Sequence, residues 1–331
     1  MRTQTRRLWP QLLAFAIALV VIDRAVHAYA LRHANGLVRV EQALQSSALA
    51  TPAAQTIVLS GDSDMESAID TGEILAGLAA RGVTNQRLAN LALGGTDADV
   101  RFMALREYLE RGGKMDTLVL GYRGTEPADD EPLRPGSYTG NNAVVFTWGR
   151  FGDLAIYHPH ASFAAVDDAL RFTLFRATAI GANRQALWAK VTRAEARLGM
   201  RPFGATNAYG VVAEFSKLAE AHDAPAQTTA WALGRWYRAI VSLAASHGAR
   251  ITFVRLPALK RSEQTYFAND ESRRAYDALL EGVAGAHGGR RVDLSAEPWV
   301  GDWLIVDGLH FTNRGAALVS RAMGEALAEM R

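Results

Sequence analysis

Serine, histidine and aspartate perform acyl chemistry when distant parts of a chain bring them together, and three stretches of this sequence carry the pieces. The first is TIVLSGDSDMES, residues 56–67, where a hydrophobic run breaks at Gly-Asp-Ser and leaves Ser63 just past its end. The second is VDGLHFTNRGA, residues 306–316, with Asp307 and His310 three apart. The third is NLALGGTDAD, residues 90–99, with Gly94 and Gly95 in tandem. A serine hydroxyl is a poor nucleophile until a base takes its proton, and a histidine is that base when a carboxylate fixes its tautomer. The roles expected are therefore Ser63 as nucleophile, His310 as general base and then acid, and Asp307 as the orienting group. A tetrahedral intermediate also needs donors aimed at its oxyanion, which backbone N–H groups of Ser63, Gly94 and Gly95 can supply. Each stretch has a plainer reading. Asp62 or Ser63 can simply cap a helix, the Gly-Gly pair can be a tight turn, and Asp307 with His310 can be an exposed loop.

What favours the chemistry is where the elements put these residues. Residues 56–60 read as a buried parallel strand, and helical spacing follows over 65–81. A strand near 88–93, a helix over 97–112 and a strand over 116–122 continue the alternation. After about residue 127 the pattern changes to Pro- and Gly-rich turns and helical runs, including 163–197, and this reads as a largely helical insertion to about 227. The alternation then resumes with a helix over 228–247, a strand at 251–257, a helix over 271–286, a short strand at 290–295 and a final helix from near 313. Short apolar strands joined by helical crossovers predict an α/β fold with a doubly wound parallel sheet. Ligands of such sheets bind at the carboxyl ends of the strands, which is where Ser63, the glycine pair and the 307–310 loop all fall.

Composition narrows the classes. The 331 residues are 49% hydrophobic, enough for a full core, with a formal charge of +2 and basic residues scattered along the chain, so a nucleic-acid partner is not indicated. There is no cysteine, which excludes disulfides, thiolate metal sites and a cysteine nucleophile. His158 and His160 alternate in the insertion without nearby carboxylate or cysteine partners, an incomplete metal site. No metal and no cofactor are expected. Neither glycine turn matches a phosphate-binding loop.

At the amino terminus Arg2, Arg6 and Arg7 precede an uncharged run over residues 8–22, the order of a positive n-region and an apolar h-region. The expectation is a signal anchor over 1–31, a connector over 32–55, and the α/β domain over 56–331 facing the periplasm from the inner membrane. Ala28-Tyr29-Ala30 offers a peptidase site, and with it a cleaved periplasmic form.

Taken together, the GDS at 61–63 after a strand, the glycines at 94–95 and the DGLH at 307–310 before the last helix resemble the SGNH, or GDSL-like, hydrolase superfamily. The resemblance covers 56–124 and 250–331. It implies a flavodoxin-like three-layer α/β/α sandwich with a Ser63–His310–Asp307 triad acting on esters. One feature departs from the family pattern: its asparagine donor after the third strand is missing, and Gly121, Tyr122, Arg123 and Gly124 stand there. Asp62, Tyr122 and Arg123 are candidate substrate contacts, and Asn141 or Asn142 of the insertion could reach the site. With the amino-terminal segment, the departure looks like a membrane-anchored branch resembling DltD and the alginate acetylation proteins. That similarity implies an esterase or O-acyltransferase working on acyl, chiefly acetyl, esters of a cell-surface or exported polysaccharide, with a membrane-bound O-acyltransferase as a further partner. Trp148, Tyr157, Trp188 and Tyr209 are either sugar platforms or core. The alternative is a degenerate domain that binds glycan or scaffolds an export complex.

Overall fold

The computed structural model describes residues 2–33, 40–45, 55–94, 96–128, 148–158, 162–176, 230–259, 266–267, 269–306 and 310–329. The chain divides into two compact units, Met1–Val38 with Leu133–Ala208 and Arg39–Pro132 with Tyr209–Arg331.

The larger unit is built on a five-stranded, wholly parallel sheet: β1 (Gln55–Ser60), β2 (Gln86–Asn90), β3 (Thr117–Tyr122), β4 (Arg250–Arg255) and β5 (Arg291–Asp293), in the order β2-β1-β3-β4-β5. That is the flavodoxin-like winding, whose switch point lies between β1 and β3. The central strands are apolar on both faces because helices cover both. On one face Ile57, Leu59, Val119 and Val254 join Met65, Ile74, Leu78, Val319 and Met323 in one core. These come from α3 (Ser63–Ala68), α4 (Thr71–Ala80) and α10 (Asn313–Ala328). The other face is covered by α5 (Ala98–Glu110), α8 (Arg235–Ser246) and α9 (Asp270–Ala286), which bury Met103, Tyr108, Tyr237, Ile240, Tyr276 and Leu280. Helices α4 and α10 cross so closely that a Cβ on Gly324 would lie 2.2 Å from the Ile74 carbonyl oxygen, so only glycine fits.

The expected single helix over 65–81 is two. It starts earlier, at Ser63, and breaks at Ile69 and Asp70, because the Asp70 carboxylate accepts N–H bonds from Gly72 and Glu73 at 2.9 and 3.2 Å and starts a new helix. The connector over 32–55 contains a helical turn, α2, at 40–45 that buries Val40 and Ala43. The helix expected from 228 begins at Arg235.

In the smaller unit, α1 spans Arg2–His33, a short α6 (Leu154–Tyr157) follows a 3-10 turn, and α7 spans Phe163–Arg176. Leu12, Leu13, Phe15, Ile17, Leu19, Val20, Val21 and Ile22 of α1 are all exposed. Among the described residues no helix is long and apolar enough to cross a membrane, so the anchor expected over 1–31 does not stand out as a span. The uncharged run at 8–22 amounts to about 22 Å of helix against the roughly 30 Å of a hydrocarbon core.

Candidate active site

Ser63 is the first residue of α3, three positions past the end of β1. Asp62 caps that helix, its Oδ1 accepting the N–H groups of Asp64 at 2.9 Å and Met65 at 3.4 Å. The aspartate is thus committed to the backbone, and the capping role open in the sequence falls to it rather than to Ser63. The Ser63 hydroxyl is half-buried and makes no hydrogen bond among the described residues. Gly61 is required for space rather than for an unusual backbone angle: a Cβ there would lie 2.3 Å from the Met65 Cβ. The same Met65 fills the room beside Gly121, where a Cβ would lie 2.4 Å from its sulfur. Two glycines at the ends of adjacent strands therefore let α3 seat against the sheet.

The β2 exit lies beside Ser63 with its donor engaged. Leu93 N–H bonds to the Gly61 carbonyl at 3.0 Å, which ties the two strand exits together. A Cβ on Gly94 would lie 3.4 Å from the Ser63 Cβ. Yet the Gly94 N–H donates to Glu66 Oε2 at 2.5 Å. The donor expected of Gly94 is held in this conformation by a carboxylate one turn along α3. Gly95 lies outside the described residues.

His310 closes a tight turn before α10. Ile305 and Phe311 form an antiparallel bridge, Val306 N–H bonds to the His310 carbonyl at 2.8 Å, and Thr312 N–H bonds to the Leu304 carbonyl at 2.8 Å. The turn is pinned to the helix of Ser63, since Phe311 N–H bonds to Ser67 Oγ at 3.2 Å. The fold thus brings the histidine turn onto α3, although no Ser63–His310 hydrogen bond forms in it. Asp307 lies outside the described residues, as do Asn141, Asn142, His160, Trp188 and Tyr209.

A buried charge cluster that the sequence reading missed surrounds α3. Asp64 Oδ2 is 3.2 Å from Arg123 Nη1. Burial raises the Asp64 pKa from 3.8 to about 7, against the pull of Arg123. Glu126 accepts the Gly124 N–H at 2.7 Å, and its pKa is raised by burial and by Asp62. Arg101 of α5 is buried and donates from Nη1 to Tyr237 Oη at 2.9 Å. Tyr266 packs so tightly on Gly124 that a Cβ there would lie 2.3 Å from its ring. Burial, with Glu126 next, raises the Tyr266 pKa. The only trace of this cluster in the sequence was the acids at every second position over 62–66; the partners come from the segment after β3, from α5 and from α8.

Two of the expected substrate contacts, Tyr122 and Arg123, are buried. Tyr122 is a core side chain, edge-on to Phe253 and Tyr276, with its hydroxyl 3.4 Å from Arg291 Nη1. Arg123 is 2% exposed, too deep to touch a ligand in this conformation. Trp148 is also buried, the core outcome of its two readings.

No family model matches the chain, and no curated protein matches it. Among solved structures it is similar to a lipase/acylhydrolase from Enterococcus faecalis, at 12% identity and a TM-score of 0.40, over 83% of this chain and 96% of that one.

Proposed function

We propose that the chain is an SGNH-type serine esterase or O-acyltransferase, acting outside the cytoplasm on acyl esters of a cell-surface or exported polysaccharide. One observation carries the reading: a serine hydroxyl with no hydrogen bond among the described residues opens α3 at the β1–β3 switch point, and the His310 turn is bonded to that same helix through Phe311 and Ser67. Ser63 Oγ attacks the acyl carbonyl while His310 takes its proton. Collapse of the tetrahedral intermediate breaks the ester C–O bond, and the same proton passes to the departing sugar oxygen. The acyl-enzyme then yields its acyl group to water, or to another sugar hydroxyl, with His310 taking the incoming proton and returning it to Ser63. Asp307 is the group proposed to steady the imidazolium.

Trp303 and Val306 stand exposed on the segment leading into the His310 turn, the Arg314 guanidinium lying 5.0 Å from the centre of the Trp303 ring. The exposed apolar side chains of α1 support placement at the inner membrane through that helix, with the larger unit in the periplasm; a cleaved form would be free there. Transfer rather than hydrolysis would draw acyl groups from a membrane-bound O-acyltransferase.

A second reading, a non-catalytic glycan-binding or scaffolding domain, draws on the Gly94 donor held by Glu66. Hydrolysis of p-nitrophenyl acetate separates the two. The enzyme reading expects Ser63→Ala and His310→Ala each to lower kcat by at least about 10³-fold; turnover unchanged in Ser63→Ala removes that serine from the chemistry.

A further inference from the structure

Arg123 leaves the carboxyl end of β3 and buries its guanidinium between the two segments that carry Ser63 and His310. Its Nη1 is 3.2 Å from Asp64 Oδ2, and its Cζ lies 4.9 Å from the centre of the Phe311 ring. Asp64 follows Ser63 in the chain and Phe311 follows His310. One cation therefore touches the neighbour of the proposed nucleophile and the neighbour of the proposed base. Its Nε and Nη2 are buried with no hydrogen-bond partner among the described residues. A buried charge left with unmet donors is costly, and packing alone would be served better by an apolar side chain.

We propose that Arg123 is a positioning residue, one that fixes the His310 turn against the helix of Ser63 by pairing with Asp64 on one side and stacking on Phe311 on the other. The role rests on the esterase reading above and adds to it what stands after β3 where the resembling family has its asparagine. Burial directs the guanidinium away from substrate, so it acts through its two neighbours. Both halves of the clamp need the broad group: a lysine ammonium is a compact point charge that can pair with Asp64 but cannot at once reach over the Phe311 ring.

The test uses the full chain with Arg123→Lys and Arg123→Met in p-nitrophenyl acetate turnover, and a thermodynamic cycle of Arg123→Met with Phe311→Leu in urea unfolding. The clamp predicts a fall in kcat of about 10- to 100-fold with KM within about twofold for both variants, Arg123→Lys remaining folded. It also predicts non-additive unfolding midpoints, the Phe311 substitution costing little once Arg123 is gone. Turnover within twofold of wild type in Arg123→Lys, a rise in KM at constant kcat, or additive midpoints would each overturn it. The unfolding cycle needs no catalysis, so a Ser63→Ala protein that kept full activity would sink the esterase reading while the cycle still judged the clamp.

Discussion

Asp64 shows at the scale of one residue how this site is poised. Its carboxyl is raised from 3.8 to about 7, burial outweighing the attraction of Arg123. Between about pH 4 and pH 7 the folded state therefore holds a proton that the unfolded chain has released, and stability falls as pH rises through that window. Asp64→Asn removes the titration. Its unfolding free energy relative to wild type is predicted to rise from pH 4 to pH 7.5, measured by urea titrations; parallel curves would show that Asp64 ionises normally. Glu66 makes a second prediction. Its carboxylate occupies the Gly94 N–H, and if an oxyanion must take that donor, Glu66→Ala frees it. A rise of about 3- to 10-fold in kcat/KM for p-nitrophenyl acetate is expected; a fall would make Glu66 a support of the loop instead. Ser63 itself was legible because its neighbours are local, a strand before it and a helix after. Asp64, Arg101 and Glu126 were not, and Arg123 stood out only as a substrate contact, since their partners are set by which strand exits adjoin, and no pattern within one segment encodes that.

At the scale of elements, the strands were readable because a parallel strand buried on both faces is a short apolar run, and 56–60 and 116–122 gave that signal within a residue or two. Helix ends were harder. The break between α3 and α4 was written in the sequence as Asp70 three residues ahead of Glu73, a helix-start pattern, but the apolar periodicity running through it hid the boundary. Ser320 then fixes the break from across the fold, its Oγ accepting Asp70 N–H and donating to the Ala68 carbonyl, both at 2.7 Å. Gly324→Ala pushes a methyl into the Ile74 carbonyl at 2.2 Å, where backbone cannot yield. A loss of about 1–3 kcal/mol is expected by urea unfolding; no loss would mean that the helices slide apart freely.

For the whole molecule, the larger unit holds every described residue of the candidate site, and the smaller one contributes α1 with its exposed apolar side chains. If that helix holds the protein at a membrane, the full chain is expected to sediment with membranes and resist high-salt extraction, while its larger unit stays accessible to protease added outside the cytoplasmic face. Recovery in the soluble fraction would point to the cleaved form or against export. Labelling the full chain with an alkyl fluorophosphonate, with mass spectrometry to locate the adduct, tests the central claim most directly. The account predicts modification of Ser63, absent in Ser63→Ala and slowed at least about 100-fold in His310→Ala. An unlabelled Ser63, or labelling at an undiminished rate without His310, would contradict it.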